Sequence, residues 1–505
     1  MVMLSRPCCS GSAFPTECLL SQRNTAAQPL DFGREFEDCQ SSTIGSRDPE
    51  WTAPSPAWPI CSRKEQPRAK TRGRAVREID VKQQSSVAGL RRACSGLALA
   101  LALAGCAALP GGGGKSVDPQ VSSIVTGEPA TLGFDPAKLE AIRTALSADV
   151  ASGKIPGAYL IIGRQGQAAL KEGFGVQGPG QTAPMSEETI FRIFSMTKPI
   201  ISVTAMTLVE DGKLSVDDPV SKYLPEFGNL KVMQADGSTR PSTTPMLVRH
   251  LMSHTSGLIY GFVDANTALG KAYAAGGENR TDVTTRDYAK LIGALPLKAE
   301  PGVAWNYSRA TDVLGALVEV AGGKPLDVLV RERVTGPLGM TDTAFFQPAA
   351  NAARFAQSKS TDGLYYDYTK ATPMLSGGGG LSSTPEDYLR FALMLANRGE
   401  YKGVRIIEPA TLARMTTDET TADIRSKGVF FPGPGVGFGL GFSLVLDETR
   451  QRPGAGTFSW NGIAGTEFWV DPKNDLFMAF FIQDRALLAE YQRKNRAWIY
   501  DALKK

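Results

Sequence analysis

Histidine is almost missing from this chain. Of 505 residues only His250 and His254 carry an imidazole, four apart in the run Arg249-His250-Leu251-Met252-Ser253-His254-Thr255-Ser256-Gly257. A Ser-His-Asp hydrolase needs a histidine free to shuttle a proton, and no Gly-x-Ser-x-Gly nucleophile turn occurs either. A serine enzyme built from this chain must use another base. The i, i+4 pair lacks the intervening glutamate and the third ligand of a zincin-type site, so both rings are expected to hold loops together, and no metal is expected.

Cysteine is missing from most of the chain. All seven, at 8, 9, 18, 39, 61, 94 and 106, lie at or before position 106, which excludes a disulfide frame, a zinc ribbon or a thiol nucleophile from the remainder. Charge of one sign is not in excess there. Residues 1–105 hold 14 of the 55 basic and 10 of the 51 acidic residues, leaving 41 of each for the rest. A neutral body has no field to attract phosphate backbones, and no basic stripe with interleaved aromatics is present, so nucleic acid is not an expected partner. What is present, 42% hydrophobic and 21% charged residues, is the balance of a globular protein.

Residues 1–90 read as a leader: through 80 they are rich in Pro, Ser and Arg and show no sustained apolar period. Next come Arg91-Arg92, an apolar run from Ala93 to Ala104, and Leu103-Ala104-Gly105-Cys106. Positive residues, a short apolar stretch and small residues before a cut make residues 91–106 a secretion signal, too short to span a bilayer comfortably. The ending resembles a bacterial lipoprotein box, which implies lipidation of Cys106, a mature N-terminus there and a cell-envelope or periplasmic location. Residues 107–130, with Gly111 to Gly114, read as a flexible tether. A signal buried some ninety residues in would not be read as one, so the true start is expected near Val81-Lys82.

The domain proper is expected over 131–505. Leu139, Ile142, Leu146 and Val150 recur at helical spacing behind Pro136, predicting a helix over 135–152. Residues 158–162 and 168–174 flank Arg164-Gln165-Gly166-Gln167 as a β-hairpin, and 189–194 is a third alternating stretch that runs into a helix over 196–210. Helical pieces at 312–320 and 326–334 follow. Strands return at 457–460, 466–470 and 476–482, and a last helix is expected over 485–503. Thr384-Pro385-Glu386-Asp387 opens a helix with a capping box, so Gly377 to Gly380 read as a tight loop rather than a phosphate cradle. Strands at both ends imply an α+β fold: a sheet subdomain from about 131–205 and 371–505, and a helical one from about 206–370.

Ser195-Met196-Thr197-Lys198 carries the candidate chemistry. On a helix, i and i+3 share a face, so the lysine amine can reach the serine hydroxyl and act as base if burial and the helix dipole keep it neutral. Pro199 has no N–H to give the Ser195 carbonyl, which places the serine in the first turn, where backbone N–H groups can stabilise an oxyanion. The four-residue pattern alone is weak, since Ser-x-x-Lys arises by chance about once or twice in a chain of this length.

Further segments follow in a recognisable order. They are Phe191-Arg-Ile-Phe-Ser195-Met-Thr-Lys198-Pro199, Leu251-Met-Ser-His-Thr-Ser-Gly257-Leu258, Pro301-Gly-Val-Ala-Trp305-Asn306-Tyr307-Ser308, Pro337-Leu-Gly-Met340, Gly378-Gly-Gly-Leu381-Ser-Ser-Thr384 and Phe458-Ser-Trp460-Asn461-Gly462. Over about residues 130–505 the chain resembles the serine β-lactamase-like family, closest to family-eight carboxylesterases and class C β-lactamases. The resemblance implies a β-lactamase/transpeptidase-like fold, with an antiparallel sheet flanked by helices. It implies Ser195 as nucleophile, Lys198 as its activating partner, and Tyr307 as a second base whose pKa a neighbouring lysine pulls down. It implies an oxyanion hole from the N–H groups of Ser195 and Ile463, with Trp460, Asn461 and Gly462 lining the substrate site. No cofactor is implied.

Two positions depart from the class C pattern. Arg309 stands where an asparagine would meet the lysine, and is expected to point to solvent. Trp460 stands where a lysine or histidine opens the third motif, which removes a cation for the carboxylate of a β-lactam and costs a neutral ester nothing. The expected activity is hydrolysis of short-chain esters, with a β-lactamase or D-amino-acid peptidase as the alternative and a non-catalytic cell-wall-binding homologue as the second.

Overall fold

The computed structural model describes residues 124–358, 367–428, 430–448 and 454–504. The expected leader, the expected secretion signal with Cys106 and most of the expected tether lie outside them.

Helix α1 (Pro136–Ala151) starts where the Asp135 side chain accepts the Ala137 N–H and proline occupies the first turn. Strands β1 (Gly157–Arg164) and β2 (Gln167–Gly175) form the expected hairpin, with Gln165 and Gly166 at positive φ in the turn. Helix α2 is Thr197–Glu210. Strands β3 (Val436–Phe438), β4 (Ser443–Val445), β5 (Phe458–Asn461), β6 (Glu467–Asp471) and β7 (Leu476–Phe481) come from the C-terminal part, and close a seven-stranded sheet in the order β2-β1-β7-β6-β5-β4-β3. Every neighbouring pair is antiparallel.

The sheet is covered on both faces. Leu160, Ile162, Met478 and Phe480 pack with Leu139, Ile142 and Leu146 of α1 and with Tyr491 and Ile499 of the last helix. Tyr159, Ile161, Phe477 and Phe481 face the larger core that includes Tyr388, Leu389 and Phe391 of Pro385–Ala396. Double burial explains why β1 and β7 read as nearly continuous apolar runs rather than as alternating ones. Each fully buried Leu, Ile or Phe contributes about 1.5–3 kcal/mol relative to exposure, so these central strands anchor everything the site is built on.

The stretch 189–194 joins no main sheet strand. Ile190 forms a single bridge to Phe355, and Phe191–Arg192 pairs with Ser382–Ser383 in a two-stranded ladder of its own. That ladder ties the segment before the candidate serine to the segment after the glycine run. Between α2 and that run lie mainly helices, among them α3 (Thr285–Gly293) and α4 (Ala310–Gly322), which pack on each other, α4 also packing on α2. Helices α5 (Pro385–Ala396) and α6 (Leu488–Ala502) complete the layers on the two sheet faces.

Candidate active site

Ser195 lies in a tight helical turn, Phe194–Met196, that feeds α2. Phe194, just before it, has φ 43°, a left-handed conformation that a bulky side chain adopts only when its surroundings impose it. Here the ring is held by Ile463 and Ala464 in the turn after β5. Gly462 in that turn has no alternative residue: a Cβ would stand 2.4 Å from the Ile193 carbonyl oxygen. The absent side chain is what lets the end of β5 press against the backbone leading to Ser195 and brings Ile463 beside it.

Lys198 is 1% exposed and projects from the first turn of α2. Its Nζ is 3.1 Å from Ser195 Oγ, 3.2 Å from the Tyr260 hydroxyl and 2.6 Å from the Gly378 carbonyl oxygen. Burial pushes its pKa down to about 7, with the Arg309 cation helping and the Asp312 carboxylate opposing. A neutral amine has two N–H groups and one lone pair, and this site offers a partner for each. Gly378 O can only accept, Tyr260 O can accept, and the Ser195 hydroxyl can donate to the lone pair.

The glycine run fixes that geometry. Gly378 N donates to Asp312 Oδ1 at 3.0 Å while its carbonyl receives the lysine. Ser376 Oγ donates to the same carboxylate oxygen. A Cβ on Gly378 would stand 2.8 Å from Asp312 Oδ2, so the loop is built to clamp a carboxylate on α4.

Tyr307 places its ring 4.5 Å from Lys198 Nζ, and its buried hydroxyl has the Ser195 hydroxyl and the Trp460 indole N–H as polar neighbours. Neither makes a hydrogen bond of good geometry with it. Burial pushes the phenol above its ordinary value, with those two neighbours only partly opposing. This corrects the expectation of a phenol acidified by the lysine: the amine faces the ring rather than the hydroxyl, and is itself close to neutral. Tyr307 is therefore protonated in the resting site.

Trp460, the third residue of β5, stands 5.5 Å from the Tyr307 ring and 5.1 Å from Phe438. Asn461 is half-buried and pairs in register with Glu467. The two histidines serve packing. His250 Nδ1 accepts the Leu247 N–H at 3.2 Å. His254, at φ 57°, lies edge-on to Tyr307 with ring centroids 4.7 Å apart and its Nδ1 3.3 Å from Ser308 Oγ. Burial holds both imidazoles neutral.

Arg309 does not point to solvent. Its guanidinium lies 4.8 Å over the Tyr260 ring, with Nη2 donating to Asn279 Oδ1 at 2.7 Å, Nε 3.5 Å from Glu278 Oε2 and Nη1 3.8 Å from Asp312 Oδ2. The reason is charge: the buried carboxylates of Glu278 and Asp312 need a counter-ion. Two residues of the site escaped the sequence reading. Tyr260 lies two positions beyond the quoted Gly257-Leu258 segment, where a phenol looks like core packing. Asp312 was read only as the start of a helix, and nothing local to it announces the Gly378 amide it binds.

The structure thus gathers Ser195, Lys198, Tyr307, Trp460 and Ile463 at one place, where α2, the 254–260 segment and the end of β5 meet. Comparison with known proteins identifies the scaffold that carries them. Residues 142–502 match the Beta-lactamase family profile. The chain is 37% identical over 354 residues to an uncharacterized protein of Mycobacterium tuberculosis, covering 66% of this chain and 86% of that one. It is 32% identical over 378 residues to esterase EstB of Burkholderia gladioli, covering 68% and 90%. Among solved structures, EstCE1, a hydrolase with promiscuous acyltransferase activity, superposes with a TM-score of 0.60 at 27% identity, covering 73% of this chain and 99% of that one. An amine-paired serine on this scaffold, in a chain so related, makes the protein a member of the β-lactamase family and a serine hydrolase.

Proposed function

We propose that this enzyme is a carboxylesterase acting on neutral esters with short acyl chains. The observation that carries the reading is the buried Lys198 amine, near neutrality and 3.1 Å from Ser195 Oγ. As the hydroxyl attacks the ester carbonyl, its proton passes to the Lys198 lone pair, and the N–H groups of Ser195 and Ile463 receive the oxyanion. Tyr307, still protonated, gives its proton to the leaving alkoxide, and the Lys198 ammonium returns one to the phenolate through a bridging water, since the amine faces the ring and not the hydroxyl. The alcohol departs and an acyl-serine remains. Water then attacks the acyl-serine with the same groups acting in reverse, releasing the acid and regenerating both hydroxyl and amine.

Trp460 supports an ester over a β-lactam, because an indole at the third motif offers no positive charge to a substrate carboxylate. Arg309 supplies none either, being engaged by Glu278 and Asn279. The esterase relatives point the same way. Turnover of p-nitrophenyl acetate and butyrate, set beside nitrocefin, tests the preference: higher kcat/KM for the esters is expected, and preferential turnover of the β-lactam would reverse it. A fluorophosphonate probe should label the native protein and not Ser195→Ala, and equal labelling of both would remove Ser195 from its role.

We further propose that the enzyme is exported and held at the cell envelope by lipid on Cys106. The support is the order Arg91-Arg92, the apolar run to Ala104 and Leu103-Ala104-Gly105-Cys106.

A further inference from the structure

Two large apolar side chains stand in solvent on either side of the tyrosine pair. Phe262 is 57% exposed with its ring 5.2 Å from Tyr260. Phe431 is 52% exposed with its ring 6.0 Å from Tyr307. Tyr260 and Tyr307 are themselves 5.3 Å apart. Phe262, Tyr260, Tyr307 and Phe431 therefore form one unbroken series of ring contacts, with the reacting groups at its centre and an exposed phenyl at each end.

A single exposed phenylalanine needs no explanation, but two at the ends of a series that contains the proton donor are a continuous apolar wall. The two cations that lie over its tyrosine rings are committed: Lys198 to Ser195, Tyr260 and Gly378, and Arg309 to Glu278 and Asn279. Such a wall suits an uncharged, apolar group. Its direction follows from the proton path. Tyr307 must reach the leaving oxygen, so the alcohol half of the ester is the half that runs over the tyrosines, while the acyl carbonyl turns toward Ile463 and the end of β5.

From these contacts we infer that Phe262 and Phe431 are specificity-determining residues that clasp the alcohol half of the substrate, and that the preferred substrates are esters of apolar alcohols of about aromatic size. The inference rests on the reading of Ser195 as nucleophile and Tyr307 as donor to the leaving group. It adds no chemical step: the alcohol leaves with the Tyr307 proton as the acyl-serine forms.

The test compares 3-phenylpropyl acetate with propyl acetate, whose alcohols are equally poor leaving groups, and propyl 4-phenylbutanoate with propyl butanoate, which differ only in the acyl half. The native enzyme should favour the phenylpropyl acetate by roughly tenfold or more in kcat/KM, the scale on which apolar pockets discriminate. Phe262→Ala and Phe431→Ala should each cut that ratio several-fold and together bring it near one, while the acyl ratio moves less than about twofold. Circular-dichroism melts check that both variants are folded. No native preference, an alcohol ratio untouched by the double variant, or a collapse of the acyl ratio instead would overturn the inference. Hydrolysis of propyl acetate by Ser195→Ala would instead sink the reading of the site beneath it, so the two failures are separable.

Discussion

Lys198 is a base only while it is neutral, and its surroundings decide when that is. Its pKa of about 7 is the net of burial, which lowers it most, the Asp312 carboxylate, which raises it, and the Arg309 cation, which lowers it. The protonated fraction is inactive as a base, so kcat/KM should climb with pH to a plateau, with its midpoint near 7. A nearby cation disfavours the ammonium; removing that cation favours it. Arg309→Met should accordingly shift the midpoint upward by roughly half to one pH unit, lowering kcat/KM about three- to tenfold at pH 6.5 and little at pH 9. Arg309→Lys, which keeps the charge, should leave the midpoint near the native one. A uniform loss at all pH values in Arg309→Met would mean that the guanidinium only props up the Tyr260 ring. Ser195 and Lys198 could be read from the sequence because one helical turn fixes their spacing. Tyr260 and Asp312 could not, because their places depend on which loops close over α2.

A strand can be legible in its apolar residues and silent about its polar ones. Strands β1 and β7 stood out in the sequence because burial on two faces demands long apolar runs, and β2, β5 and β6 because turns bound their apolar residues. Strands β3 and β4, three residues each at the sheet edge, are too short to carry a period. Within β6, Glu467 alternates with Trp469 toward the layer of α6, where it is fully buried near Asn495. One of its carboxyl oxygens and both polar atoms of the Asn495 amide lack a hydrogen bond. Burial raises the Glu467 pKa from 4.5 to about 7, with the Arg496 cation and Asn495 opposing. A carboxyl raised in the folded state costs nothing below its unfolded pKa. It destabilises progressively between about 4.5 and 7, and steadily above that. Glu467→Gln removes the ionisation, so its stability relative to the native protein should improve by up to about 3 kcal/mol between pH 4.5 and pH 8. Urea melts at both pH values measure this, and an equal difference at the two would show that Glu467 does not titrate in the fold.

At the scale of the whole chain, the net charge of the body supplies no overall attraction to a membrane. Its 41 basic and 41 acidic residues after position 105 cancel, whereas attraction to an anionic leaflet needs clustered positive charge worth about 1 kcal/mol per residue. Among the described residues no helix is long and apolar enough to cross a bilayer. The proposed retention at an envelope rests on covalent lipid at Cys106. One acyl chain binds marginally and two bind firmly, at about 0.8 kcal/mol per buried methylene. The proposal for Cys106 is therefore all or none. In a bacterial host the native enzyme should sediment with membranes through a 1 M salt wash, and mass spectrometry of its N-terminal peptide should find lipid on Cys106. Cys106→Ser should lose the lipid and leave the membrane fraction without an active-site defect, because Cys106 has no part in the proton transfers among Ser195, Lys198 and Tyr307. An unmodified Cys106 inside a longer N-terminal peptide would refute the anchor and leave the hydrolase reading untouched.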